Sequence, residues 1–421
     1  MIYLRQNFSQ PFLYSLFCNN ILRKIANNKN NKGDSMKKKF VFYIMLLVVA
    51  FSTIFVPTQK GYASSLDDLS AKAVFLMDYN TQTILYEKNA TERMPVASIV
   101  KLMTIELICE EIEKGNLSLD DTIIASENAS SMGGSQVFIE TGGEYSVGDM
   151  LKSAIVSSAN DASVALAEKV AGSEDNFVVL MNNKAKEFGL ENTNYVNATG
   201  LPATNQFSCA KDTAKLLKHV TSHDAYHKYS TIWMDTLLHP KGRESELVNT
   251  NKLIRYYEGC DGGKTGSTNE AGYCLSATAK RGNMRLIGVV LGAENSKKRF
   301  AETSQLLNYG FANFENKKVV DSNKTQEIEI KGCKQKTLTI HPESDLYIIC
   351  NKKDKENNFS IETKLKEHIT APITIGDSLG EILVVQNGQV ISSTKIISKD
   401  NIEKASFIDY LSYVLNDWCI K

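Results

Sequence analysis

Three short strings constrain this chain more than anything else in it: Ser98-Ile99-Val100-Lys101, Ser158-Ala159-Asn160 and Lys264-Thr265-Gly266. Each alone is common. Together they call for a fold that brings a helix start, a tight loop and a strand start to one cleft. Serine is a poor nucleophile until a base takes its proton. With Ser98 at a helix start, Lys101 lies one turn later on the same face, within reach of the hydroxyl. The helix N-terminus also turns backbone N–H groups toward an attacked carbonyl. Lys101 serves as base only if its pKa falls, which burial beside another cation achieves; Lys264 is that cation.

Ser158 and Asn160, two apart in a tight loop, can both face the cleft. The hydroxyl would pass a proton to a leaving nitrogen, and the amide would hold Lys101 and a substrate amide. Taken alone, the pair reads as a helix N-cap. Lys264-Thr265-Gly266 begins a strand, with Lys and Thr presenting charge and hydroxyl to a substrate carboxylate and Gly266 permitting close approach. The Ser267 N–H would join that of Ser98 as an oxyanion hole, where one donor is typically worth about a hundred- to a thousandfold in rate.

The three strings match the set found in penicillin-binding proteins and β-lactamases, the SxxK serine acyl-transferase superfamily. Further strings narrow the resemblance to the D-alanyl-D-alanine carboxypeptidases of the low-molecular-mass penicillin-binding proteins. Ser157-Ser158-Ala159-Asn160-Asp161-Ala162 resembles that family's SSANDA, with Ala where β-lactamases usually carry Asp. Phe188-Gly189-Leu190 through Asn192-Thr193, then Asn197-Ala198-Thr199-Gly200-Leu201, is similar to a second stretch. Gly263-Lys264-Thr265-Gly266 with Ala271-Gly272-Tyr273 is similar to a third. The similarity covers about residues 70 to 315. Ser267 departs from relatives that carry His, and only its backbone matters to the chemistry above. Arg299 falls where the family often places a carboxylate-binding Arg, and reads equally as a helix surface charge.

The resemblance implies removal of the terminal D-Ala from peptidoglycan stem pentapeptides through an acyl-enzyme on Ser98, which limits cross-linking. It also implies covalent inhibition by β-lactams, with no metal and no cofactor. The nearest rival is a class A-like β-lactamase, which needs a Glu to activate the deacylating water. Glu187-Phe188-Gly189-Leu190 hints at its ExxLN motif, but residue 191 is Glu rather than Asn. A catalytically idle wall-binding scaffold is the other rival, and the intact Ser98, Lys101, Ser158, Asn160 and Lys264 argue against it.

The ends of the chain point to export from a bacterium. Lys37, Lys38 and Lys39 precede an uncharged stretch from Phe40 to Val56, and Gly61-Tyr62-Ala63 supplies small residues. A basic n-region, an apolar h-region and an A-x-A-like site describe a secretory signal cleaved after Ala63, favoured over an uncleaved anchor of nearly spanning length; either places the enzyme at the outer face of the membrane or in the wall. Residues 1–35 fit no targeting pattern. Lys32-Gly33-Asp34 can be encoded by AAAGGAGAU, a ribosome-binding site just upstream of Met36, so residues 1–35 read as an over-extended start. With 48 basic and 48 acidic residues, the chain has no bulk attraction to nucleic acid. The eight cysteines are scattered without metal-like spacing, and Cys109 and Cys274 read as buried thiols. His219, His223 and His227, four apart, would share one helix face. That spacing can bind a metal, but nothing else supports one, and a solvated helix surface is the simpler reading.

The pattern of elements gives an α+β fold. Strands at Ala73–Asp78 and Thr83–Tyr86 form a hairpin. A helix opens at Ser98 and closes at Gly115, and residues 150 to 220 are helix-rich. Strands follow at Tyr273–Ala277 and Met284–Leu291, then a helix from Lys298 to Phe314. This predicts an antiparallel sheet with helices against it, of the β-lactamase/transpeptidase type. Five segments follow: 1–35, the doubtful start; 36–63, the signal; 64–317, the peptidase domain; 318–398, a small all-β domain; and 399–421, an amphipathic helix. In that last segment Phe407, Ile408, Leu411, Val414, Leu415 and Trp418 form a stripe that can lie in a membrane interface.

Overall fold

The computed structural model describes residues 66–330, 333–353, 359–386 and 388–419; the leader and signal segments read from the sequence lie outside them. β1 (Ala73–Asp78) is buried at every position, and β2 (Ile84–Lys88) pairs with it across the expected turn. A single 3₁₀ turn, Ala97–Val100, leads into α1 (Lys101–Glu113), which Gly115 ends at φ +74°. β3 (Thr122–Ile124) and β4 (Glu144–Ser146) form a small ladder. The helical middle is α2 (Val147–Val156), α3 (Asn160–Ala171), α4 (Glu174–Glu187), α5 (Ala210–Val220) and α6 (Asp224–Ser230). The hairpin of β5 (Met234–Leu238) and β6 (Glu244–Val248) follows. Then come β7 (Cys260–Thr268), β8 (Gly272–Arg281), β9 (Met284–Ala293) and α7 (Ser296–Asn313).

The main sheet has the order β2-β1-β9-β8-β7 and is antiparallel throughout. Side chains alternate across it with period two. Phe75 and Met77 join the larger core under α1, α2, α3 and α5, whereas Val74 and Leu76 join the core shared with α7. β7 is the sheet edge, and its outer side lies against the 3₁₀ turn that carries Ser98.

The all-β part begins where α7 ends. β10 (Phe314–Val320) pairs with β13 (Leu346–Asn351). Beside them β11 (Gln326–Glu329), β12 (Thr337–Pro342), β14 (Phe359–Leu365), β15 (Ser378–Gln386) and β16 (Gln389–Ser398) form a second sheet, in the order β11-β12-β16-β15-β14. Ile402 bridges Ile373 and Lys404 bridges Cys333. The helix expected over 399–421 therefore begins later, as α8 (Phe407–Cys419). No helix among the described residues is long and apolar enough to cross a membrane.

The histidine reading needs correction. α5 stops at Val220, where the Thr221 hydroxyl bonds the Leu217 carbonyl. His223 precedes α6 and His227 lies within it, so no one helix carries all three. His223 is buried, not solvated, with Nε2 3.2 Å from Glu106 and Nδ1 2.7 Å from Glu113, both on α1. Burial alone would lower its pKa; the two carboxylates overcome this and raise it to about 9. His219 stacks on Phe188 at 3.8 Å.

Candidate active site

Ser98 is half-buried in the 3₁₀ turn, immediately after Ala97 in the left-handed region at φ 50°. Backbone strain of this kind costs roughly 1–3 kcal/mol and persists only where surroundings fix it. Two glycines do so. A Cβ on Gly200 would lie 2.1 Å from the Ala97 carbonyl oxygen, and one on Gly266 2.6 Å from that of Val96 and 3.0 Å from the Ser98 nitrogen. Gly266 was read from sequence as making room for substrate. Its first service is to let β7 close against the backbone of Ser98.

Lys101 is completely buried. Its Nζ lies 3.0 Å from Ser98 Oγ, 2.6 Å from Asn160 Oδ1 and 2.5 Å from the Thr199 carbonyl oxygen. Burial, then the nearby Lys264 charge, lowers its pKa well below the usual lysine value, while Asp161 opposes this. In the neutral amine, two N–H bonds satisfy Asn160 and Thr199, and the lone pair is left to accept the Ser98 hydroxyl proton. Asn160 Nδ2 donates to the Gly133 carbonyl at 2.6 Å, fixing which amide atom faces the lysine.

Ser158 has φ 61°, and the helix behind it starts at Asn160 with no side-chain cap from Ala159. The N-cap reading of this pair therefore fails. Ser158 Oγ instead accepts from Lys264 Nζ at 2.6 Å. Lys264 is buried, and burial plus the Arg299 charge lowers its pKa to about 7.

On β7, Gly263 exchanges bonds with Tyr226 Oη rather than β8, and the Thr265 carbonyl accepts from Lys264 Nζ at 3.2 Å. Alternation along an antiparallel strand then puts the N–H of Ser267 on the same open edge, toward Ser98. Arg299 is buried rather than a surface charge. Its Nη1 donates to the carbonyls of Gly266 and Cys274 at 3.2 and 3.4 Å, and Nη2 to Ser296 Oγ at 3.3 Å.

Two further contributors were given no role in the sequence reading. The Thr199 carbonyl is presented by a turn in which Asn197 Oδ1 accepts from the Thr199 and Gly200 N–H groups at 3.2 and 2.7 Å; the Asn197–Leu201 string was the only pointer to it. Asp161 is buried and accepts from the N–H groups of Val137, Ile139 and Ala162, tying the 133–139 loop to α3. Glu187 is paired with Lys184 at 2.8 Å and its side chain is 62% exposed, which does not suit a buried water-activating base. Among the described residues no cluster of His, Cys, Asp or Glu is arranged to hold a metal. Cys109 and Cys274 are buried thiols, and burial pushes Cys274 up to about 11.

A half-buried serine facing a buried lysine amine, with a second buried lysine bonded to another serine opposite, defines a serine hydrolase of the acyl-transfer type. Comparison carries this further: the chain belongs to the D-alanyl-D-alanine carboxypeptidase family, whose model matches residues 60–295, and residues 314–404 match the penicillin-binding protein 5 C-terminal domain. It is 40% identical over 376 residues to the D-alanyl-D-alanine carboxypeptidase DacF of Bacillus subtilis, covering 89% of this chain and 96% of that one. Penicillin-binding protein 5 of Haemophilus influenzae superposes with a TM-score of 0.67 at 31% identity, over 81% of this chain and all of that one. Penicillin-binding protein D2 of Listeria monocytogenes, solved in its ampicillin-bound form, gives 0.52 at 33% identity over 58% of this chain and 98% of its own.

Proposed function

We propose that this chain removes the terminal D-alanine from peptidoglycan stem pentapeptides through an acyl-enzyme on Ser98. The observation that carries the reading is the placement of Lys101 Nζ between the Ser98 hydroxyl and two fixed acceptors, in a buried site that lowers its pKa well below the usual lysine value. Lys101 takes the Ser98 proton as Oγ attacks the carbonyl of the penultimate D-Ala, and the Ser98 and Ser267 N–H groups hold the oxyanion. The proton returns through the Ser158 hydroxyl to the leaving nitrogen, and free D-Ala departs. Water then hydrolyses the ester. Lys264 and Thr265 face the terminal carboxylate, Gly266 lets the strand close, and Asn160 holds Lys101 and a substrate amide. Arg299 contributes charge from beneath β7 while anchoring Gly266. Trimming the donor peptide limits cross-linking.

β-Lactams, whose strained amide presents a carbonyl and a carboxylate at similar separation, acylate the same serine. Export through the 36–63 signal puts the site on the wall side of the membrane, and α8 rests on that membrane's surface: Phe407 and Ile408 are 81 and 74% exposed with nothing described packed over them.

The test is release of free D-alanine from a diacetyl-Lys-D-Ala-D-Ala substrate, together with intact mass after benzylpenicillin. The reading expects D-alanine and a stable adduct of one penicillin. Rapid penicillin turnover without D-alanine release would make the chain a β-lactamase.

A further inference from the structure

We propose that two copies of this chain pair edge to edge through β14, antiparallel about a two-fold axis at Thr363. β14 is an outermost strand, bonded to β15 alone among the described residues. It carries no proline or bulge, two of the devices that protect such an edge; its charged residues, Glu362 and Lys364, are of opposite sign and do not repel a second copy in antiparallel register. The direction of its backbone groups follows from its neighbour. The Lys366 N–H donates to the Leu379 carbonyl, and the Lys364 carbonyl oxygen lies 2.2 Å from where a Cβ on Gly380 would stand. Even-numbered residues therefore face β15. The N–H and carbonyl groups of Ile361, Thr363 and Leu365 point outward, unpaired by any described strand.

The sequence around Thr363 is self-complementary in that register. Ile361-Glu362-Thr363-Lys364-Leu365, laid antiparallel on itself, sets Thr363 opposite Thr363, Ile361 opposite Leu365 and Glu362 opposite Lys364. The outward-facing residues are the ones that meet as hydrogen-bonded pairs. Side chains sort by face as well. Ile361, Thr363 and Leu365 line one cavity of about 640 Å³ on the sheet's inner side. Ile361 and Leu365 remain 46 and 40% exposed there. Glu362 and Lys364 project from the other face, 3.9 Å apart within the strand. Pairing thus buries two apolar pairs on one side and forms two opposite-charge pairs on the other, each favoured across a strand pair. A one-residue slip would place apolar against charged side chains, so the register is specified. The interface is isologous and closes at two copies, joining two five-stranded sheets into one of ten.

Sedimentation equilibrium of the full chain in density-matched detergent reads the association. Glu362→Lys and Lys364→Glu each create two like-charge pairs and should weaken dimerisation about tenfold, while the double reversal restores it. Register is read by oxidation in a background with Cys18 and Cys419 changed to Ser, the other six cysteines being buried. Thr363→Cys should cross-link, since hydrogen-bonded partners lie about 5.5 Å apart at Cα. Glu362→Cys, two positions out of register with itself, should not. A monomer at all concentrations, a double reversal as weak as the singles, or equal cross-linking at 362 and 363 overturns the proposal.

Discussion

Lys101 and Lys264 are both buried and differ in their partners: Nζ of the first meets Ser98, Asn160 and the Thr199 carbonyl, that of the second Ser158. Ser98→Ala removes the nucleophile alone. It should abolish both the penicillin adduct and D-alanine release while leaving the thermal transition unchanged; labelled penicillin still attached to the variant would move the nucleophile elsewhere. Lys264→Ala should weaken binding of the terminal carboxylate and lift part of the charge pressure on Lys101. Acylation needs the neutral amine, so its rising limb should move to higher pH as the rate falls. An unmoved limb would confine Lys264 to carboxylate binding. At this scale the side-chain chemistry was legible because serine, lysine and asparagine announce it at fixed spacing. The Thr199 carbonyl was not legible, since any residue supplies one and only the turn built on Asn197 aims it. Arg299 stayed open between a carboxylate-binding group and a surface charge, because a charged residue on a helix looks solvent-facing until the strand that covers it is known.

Among the elements, the contact of β7 with the 3₁₀ turn sets the geometry. Gly266→Ala would push a methyl into the Val96 carbonyl and the Ser98 nitrogen. A displacement of about 1 Å at the nucleophile typically costs on the order of a hundredfold in rate, so acylation should fall by about that factor with the fold retained. Normal acylation would mean that the strand yields freely. His223 ties α1 to the start of α6. Its raised pKa means that the protonated ring stabilises the fold. That contribution is complete below about 6.5 and is lost as pH rises through about 9. His223→Gln should cost on the order of 2 kcal/mol near neutrality, the usual worth of a hydrogen bond to a charged group, and the gap in denaturation midpoint should close above pH 9. A gap independent of pH would reduce the histidine to packing. The major strands and helices were legible from their periodicity. The ladders β3–β4 and β5–β6 were not, being three to five residues long and mostly exposed. The break at Thr221 was also hidden, because a hydroxyl closes the turn there and neither glycine nor proline marks it.

Across the whole molecule, residues 401–406 and α8 give the tail two parts with different expected roles. Ile402 is buried and bridged to Ile373, so removing 401–421 should destabilise the β-domain by about 2–4 kcal/mol, the usual cost of losing a large buried aliphatic. Removing 407–421 should leave the thermal transition alone and release the signal-processed enzyme from membrane vesicles. Continued sedimentation of that shorter chain with vesicles would refute the anchor. The main sheet has a further consequence, for when the enzyme comes into being. β1 is made early, yet its partner β9 is among the last strands of the peptidase domain to be made: Phe75 waits for Val289. Such long-range pairing closes slowly. Ser98 follows β1 and β2 directly, and both cations that tune it stay solvated until Lys264 arrives on β7. A chain interrupted before residue 293 should therefore carry its serine in an ordinary, unreactive state, with reactivity toward wall peptide or penicillin expected only once the sheet is complete.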